Sequence, residues 1–150
     1  MLQSIGDRAR VVIVDIHAEA TSDKQIMARY LDGRASAVLG THTHVPTADE
    51  TILPGGTAFI TDVGMTGPYD SILGRRVDRV SETTITFVPT HFDVATGDPR
   101  LCGAKLELDP TSGRALAIER VMIRETDADA MVPSPNAPSP GITSDVASRA

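Results

Sequence analysis

The chain has 150 residues, the length of one ordinary domain. Hydrophobic residues at 41% and charged residues at 23% exclude a wholly disordered chain, a collagen and a coiled coil. A net charge of -6, with 3% aromatics and no Trp, argues against nucleic-acid binding, which calls for basic surface and stacking rings. No run approaches the roughly 20 apolar residues that span a bilayer. The first residues lack a basic start followed by an apolar stretch, so no signal peptide is expected. One cysteine, Cys102, excludes an internal disulfide framework and a cysteine-based zinc site, and fits a reducing cytoplasm.

Residues 10–16 (RVVIVDI) form a short, continuous, β-branched run, the pattern of a strand buried on both faces of a parallel sheet. Thr21 and Ser22 precede a helical pattern, with Ser22 as N-cap, Ile26, Met27, Tyr30 and Leu31 on the apolar face, and Gly33 as stop. A second buried strand is predicted over 35–39 and a third over 57–63, completing a βαβ unit. Residues 70–88 are ambiguous: Ile72, Val77 and Val80 fit a helix face, whereas 83–88 (TTITFV) favours a strand by propensity. Residues 104–108 and 115–123 flank a turn with Pro110 and Gly113 and read as an antiparallel hairpin. Residues 126–150 hold four of the ten prolines among Ser, Ala and Asp, and read as a disordered tail. The foldable domain is therefore 1–125.

Three of the four histidines follow predicted strands: His17 the first, His42 and His44 the second. Ligands of parallel α/β sheets bind beyond the carboxyl ends of strands. Extended residues i and i+2 face one way, so His42 and His44 can share a site with His17. Their imidazole nitrogens are expected to converge around a metal ion, for which neutral imidazole is a common ligand. Asp15 and Glu19 flank His17, and Asp49 and Asp62 follow; Asp15 is a candidate carboxylate to fix an imidazole, the alternatives being that Asp15 caps a turn and that Glu19 is solvated. The loop over 64–68 leaves the third strand at the same edge, so Gly64, Thr66 and Gly67 are candidates to approach a phosphate, the alternative being a turn that simply needs glycine. His91 has no such partner and reads as a structural or surface-exposed residue.

Six blocks carry a resemblance: Asp15-Ile16-His17-Ala18-Glu19-Ala20-Thr21-Ser22-Asp23-Lys24, Tyr30-Leu31-Asp32-Gly33-Arg34, Gly40-Thr41-His42-Thr43-His44-Val45, Thr47-Ala48-Asp49-Glu50, Ile52-Leu53-Pro54-Gly55-Gly56-Thr57-Ala58, and Ile60-Thr61-Asp62-Val63-Gly64-Met65-Thr66-Gly67-Pro68-Tyr69-Asp70-Ser71. In order and spacing they resemble the YmdB-like, calcineurin-like metallophosphoesterases of bacteria, most specifically over 10–75. The resemblance implies the C-terminal half of a four-layer α/β sandwich around a two-metal phosphodiesterase centre. It further implies His17, His42 and His44 as metal ligands, with Thr41 beside them. Two divalent ions, iron or manganese, are the implied cofactors. The implied substrate is a small phosphodiester or cyclic nucleotide, 2′,3′-cyclic nucleotides included. Neither DNA nor a membrane is an implied partner, and a homo-oligomer is left open. The family's early Asp, its Glu or Asp after a second strand and its Asn-His pair have no counterpart here. The bridging carboxylate and the general-acid histidine are therefore expected from a missing N-terminal half, and this chain alone is expected to be inactive.

Three rival readings stand beside this one. One is a metallophosphoesterase relative of the capsule or poly-glutamate synthesis type, against which the 62–71 block argues. Another is a non-catalytic remnant that keeps its histidines by descent. The third is a single-zinc His₃ enzyme.

Overall fold

The computed structural model describes residues 2–5 and 8–131. In chain order the elements are α1 (Leu2–Ile5), β1 (Ile13–His17), α2 (Thr21–Leu31), β2 (Ala37–Thr41), β3 (Thr51–Ile52), β4 (Ala58–Ile60), β5 (Gly67–Asp70), α3 (Val77–Thr86), β6 (Gly97–Leu108), β7 (Ala115–Arg124) and α4 (Glu125–Met131). The class is mixed α/β. One sheet has the order β1-β2-β4-β3, with β1, β2 and β4 parallel and β3 antiparallel. The second sheet, β5-β6-β7, is antiparallel, and β6 and β7 are the expected hairpin.

Alternation along β2 sets the layers. Val38 faces α2 and joins Ala28, Leu31, Ala35, Leu53 and Phe59 in one apolar cluster, with Val14 and Ile16 beside it. Ala37 and Leu39 face the other way, toward Ala58, Ala115, Leu106, Leu108 and Ile118 of a second cluster. The first sheet is thus packed between α2 and the hairpin. Val38 and Ile60 are fully buried, and each such side chain contributes about 1.5–3 kcal/mol relative to exposure. Alanines dominate the second cluster because a strand face packed on another sheet leaves little room.

Several expectations need correction. β1 is an edge strand, not a strand covered on both faces: Val14 and Ile16 pack toward α2, while Ile13 on the opposite face is 52% exposed. Its outer edge pairs with no strand among the described residues. The apolar run in the sequence is that of a covered strand, and the described residues supply the cover on one side alone. The α2 N-cap is Ala20, without a side-chain cap, so Ser22 lies inside the helix. The helix buries Lys24, Ala28 and Leu31, while Ile26 and Tyr30 are exposed. Residues 83–86 are helical, not strand. Thr84 and Thr86 donate their hydroxyls to the carbonyls of Val80 and Glu82, and these i−4 bonds satisfy the threonines inside α3. Regular structure continues past residue 125, since α4 takes in the first residues of the segment read as a disordered tail. Residues 132–150 of that segment lie outside the described residues.

Candidate functional site

The parallel pairing of β1 with β2 brings His17 opposite Thr41, the last residues of both strands. A relay of three side chains follows. Thr41 donates its hydroxyl to Asp15 Oδ1 at 2.9 Å, and its oxygen lies 3.0 Å from His17 Nδ1. With the Thr41 proton committed to Asp15, His17 Nδ1–H is the donor, and Nε2 keeps its lone pair. That lone pair faces His42 Nδ1 at 3.0 Å, with the two rings edge to face at 82°. Asp15 therefore acts on His17 through Thr41, and not directly.

His44 does not join this pair. The backbone leaves the extended region at His42 (φ 117) and again at His44 (φ 65), so the two-residue alternation that placed both rings on one side does not hold. His44 instead sets Nδ1 3.3 Å from the Leu73 carbonyl, in the loop after β5. Donation to a carbonyl fixes the tautomer that leaves Nε2 as the lone-pair nitrogen.

The loop between β2 and β3 is anchored from below. Asp62, fully buried, accepts the Lys24 ammonium, the Thr43 amide and the Gly64 amide, each at 2.9 Å. Burial pushes its carboxyl upward, but these hydrogen bonds together outweigh that effect and hold it below its ordinary value. Asp49 shows the same balance: burial raises it, and bonds from Thr47 and Thr61 lower it further than burial raises it. Thr47 links the two, since its amide donates to the Asp62 carbonyl and its hydroxyl to Asp49.

The remaining candidates from the sequence sit nearby in different roles. Gly64 adopts φ 85 and packs on Pro46, whose Cδ would lie 2.9 Å from an added Cβ; its amide is engaged by Asp62. Thr66, just before β5, bonds both backbone groups of Cys102 with its hydroxyl, and Gly67 begins β5 opposite Arg100, so both are committed to the second sheet or its border. His91 is 90% exposed and lies 3.7 Å from Asp93, which fits the surface-exposed one of its two readings. Sequence reasoning missed Lys24. The available signal was its register, since Lys24, Ala28 and Leu31 form one i, i+4, i+7 stripe.

The donor set suits a metal in part. Two imidazole nitrogens 3.0 Å apart, one with its tautomer fixed through Thr41, are ligands that iron and zinc accept readily. Among the described residues no group of three His, Cys, Asp or Glu side chains is arranged to hold an ion. The described residues thus bring two imidazoles together, with His44 held apart from them.

The sequence pattern of the family described as YmdB-like protein matches residues 1–121. The chain belongs to this family. Over 125 residues it is 48% identical to a Bacillus subtilis protein named 2′,3′-cyclic-nucleotide 2′-phosphodiesterase, covering 83% of this chain and 47% of that protein. A Mycoplasma pneumoniae protein named putative phosphatase/phosphodiesterase is 39% identical, with 77% and 41% covered. Among solved structures, a hypothetical protein from Thermus thermophilus superposes with a TM-score of 0.75 at 48% identity, over 82% of this chain and 47% of that one. A novel phosphatase from Mycoplasma pneumoniae gives 0.73 at 37% identity, over 77% and 41%. The chain spans less than half the length of each of these proteins. No helix among the described residues is long and apolar enough to cross a membrane.

Proposed function

We propose that this chain supplies the histidine half of a metal-dependent phosphodiesterase centre, within a protein whose substrate is a cyclic nucleotide, 2′,3′-cyclic nucleotides first among them. The observation that carries this reading is the pair His17 Nε2 and His42 Nδ1 at the carboxyl edge of two parallel strands. The name of the Bacillus subtilis relative supports the substrate class. His17 and His42 would hold an ion, and His44, with Nδ1 turned to Leu73, offers Nε2 as a third ligand from the same loop. Iron and manganese are the proposed metals, two ions in the whole centre, and the whole domain is the four-layer sandwich of its family. Bound ions would supply Lewis-acid activation of the phosphate and a nucleophile at neutral pH.

This chain's own residues do the orienting. Asp15 and Thr41 hold the His17 ring and its tautomer, and Asp62 holds the loop that carries His42 and His44. Hydrolysis of a phosphodiester also needs a proton for the leaving oxygen. No residue here is assigned that role, and we assign it, with the bridging carboxylate, to sequence that this chain does not contain. The outer edge of β1, which pairs with no strand among the described residues, and the chain's share of its relatives' length support that division.

The test is hydrolysis of 2′,3′-cyclic AMP with Mn²⁺ or Fe²⁺. The 150-residue chain should show no more than trace turnover. The chain joined to the portion of the Bacillus subtilis relative that it does not match should turn over in a metal-dependent way and stop with EDTA. Robust turnover by the short chain would overturn the division of residues, and a joined, folded protein inert with either ion would overturn the phosphodiesterase reading.

A further inference from the structure

We propose that Lys24 and Asp62 are positioning residues for the histidine loop, a role that rests on the metal-centre reading above. The ion pair is fully buried, with 0% and 1% of the two side chains exposed and 2.9 Å between Nζ and Oδ2. A buried ion pair is weak evidence for stability, since an apolar pair of similar volume often does as well. What sets this pair apart is where its remaining capacity goes. Asp62 Oδ2 also takes the Thr43 amide, and Oδ1 takes the Gly64 amide.

Thr43 lies between His42 and His44, both of which have positive φ. Such backbone is uncommon for residues other than glycine and persists only where the surroundings impose it. At the Thr43 amide the Asp62 carboxylate holds the backbone between them. Lys24 in turn is tied to the end of β2: an added Cβ on Gly40 would lie 2.9 Å from Lys24 Cδ. The chain of contacts therefore runs from α2 through Lys24 and Asp62 to the amide between the histidines. The pair fixes the turn that sends the His42 ring back to His17 and the His44 ring on to Leu73. Neither residue reaches the imidazoles, so both act through the backbone.

The test uses the full 150-residue chain with Co²⁺ as the metal probe. Two variants are compared with wild type: Lys24→Met, which leaves the carboxylate unpaired, and Lys24→Met/Asp62→Leu, which replaces the pair by apolar groups. Amide hydrogen exchange reads the loop without any metal, and cobalt absorption reads the ligand set. Both variants should lose at least about tenfold of the protection at Thr43 while Val38 and Ile60 keep theirs. Cobalt affinity should fall by about tenfold or more, the range seen when groups that orient ligands are removed. A double variant that keeps both Thr43 protection and cobalt affinity would overturn the proposal. Uniform loss of protection, Val38 and Ile60 included, in both variants would assign the pair to global stability and overturn it as well. If wild type takes up no cobalt, the ligands that this chain lacks account for it, and Thr43 exchange alone decides the positioning role.

Discussion

Gly40 is the residue at which the fold leaves least room. A methyl group placed there would lie 1.7 Å from the Thr61 carbonyl oxygen, 2.6 Å from the Thr61 carbonyl carbon and 2.9 Å from Lys24 Cδ. Lys24 is a flexible side chain, but Thr61 is backbone, held by Asp49 through both its amide and its hydroxyl. Gly40→Ala must therefore push β2 and the segment after β4 apart, and with them the bond from the Val63 amide to the Gly40 carbonyl. Overpacking in a well-filled core costs about 1–3 kcal/mol. A lost hydrogen bond in the same place adds about 1 kcal/mol. A loss of about 3 kcal/mol is thus expected, a large share of the roughly 5–15 kcal/mol typical of a domain. Gly103 is the control, because nothing lies within 4 Å of a Cβ built there. Gly103→Ala should be neutral or stabilising by about 0.5 kcal/mol, since alanine lowers the entropy of the unfolded chain. Urea denaturation of the two variants reads the difference. A Gly40→Ala variant within about 1 kcal/mol of wild type, with an unchanged slope, would refute the packing argument.

Thr57→Val should cost about 2 kcal/mol in the same assay: the buried hydroxyl donates to Ala35 and accepts the Gly33 amide, and valine leaves both backbone groups unpaired. Acid should weaken the fold through Asp49 and Asp62. Both carboxyls are held below their ordinary value of 3.8 in the folded chain, so the stability they contribute is complete above that pH and is lost as pH falls through the lower folded values. Urea midpoints should be flat from about pH 7 to about pH 5 and fall steeply below about pH 4, and Asp49→Asn should flatten that fall.

The strand ends and their histidines were legible because a buried run closed by glycine marks where a parallel strand delivers its loop. Gly40 followed by His42 announced that edge, and the structure places His42 against His17 there. The hairpin was legible from Pro110 and Gly113 between alternating runs. His44 was not: periodicity of two assumes extended backbone, and nothing local in Thr41-His42-Thr43-His44 signals positive φ at both histidines. Hydrophobicity alone places Ile26 and Tyr30, and not Lys24, on the buried face of α2, which the structure reverses. Lysine is buried here only because Asp62, 38 residues later, meets it. Likewise the apolar run predicts two covered faces for β1, because a sequence records how apolar a strand is and not which segment covers it. In α3 the threonines pointed to a strand by propensity, while i−4 hydroxyl bonds let them stay helical.

The central claim is that His17 and His42 are ligands of one metal centre. Metal content after dialysis tests it most directly, measured on the chain joined to the unmatched portion of the Bacillus subtilis relative and loaded with Mn²⁺ or Fe²⁺. The account predicts about two ions per chain in wild type and about one or fewer in both His17→Ala and His42→Ala. Two ions retained by both folded variants would contradict it.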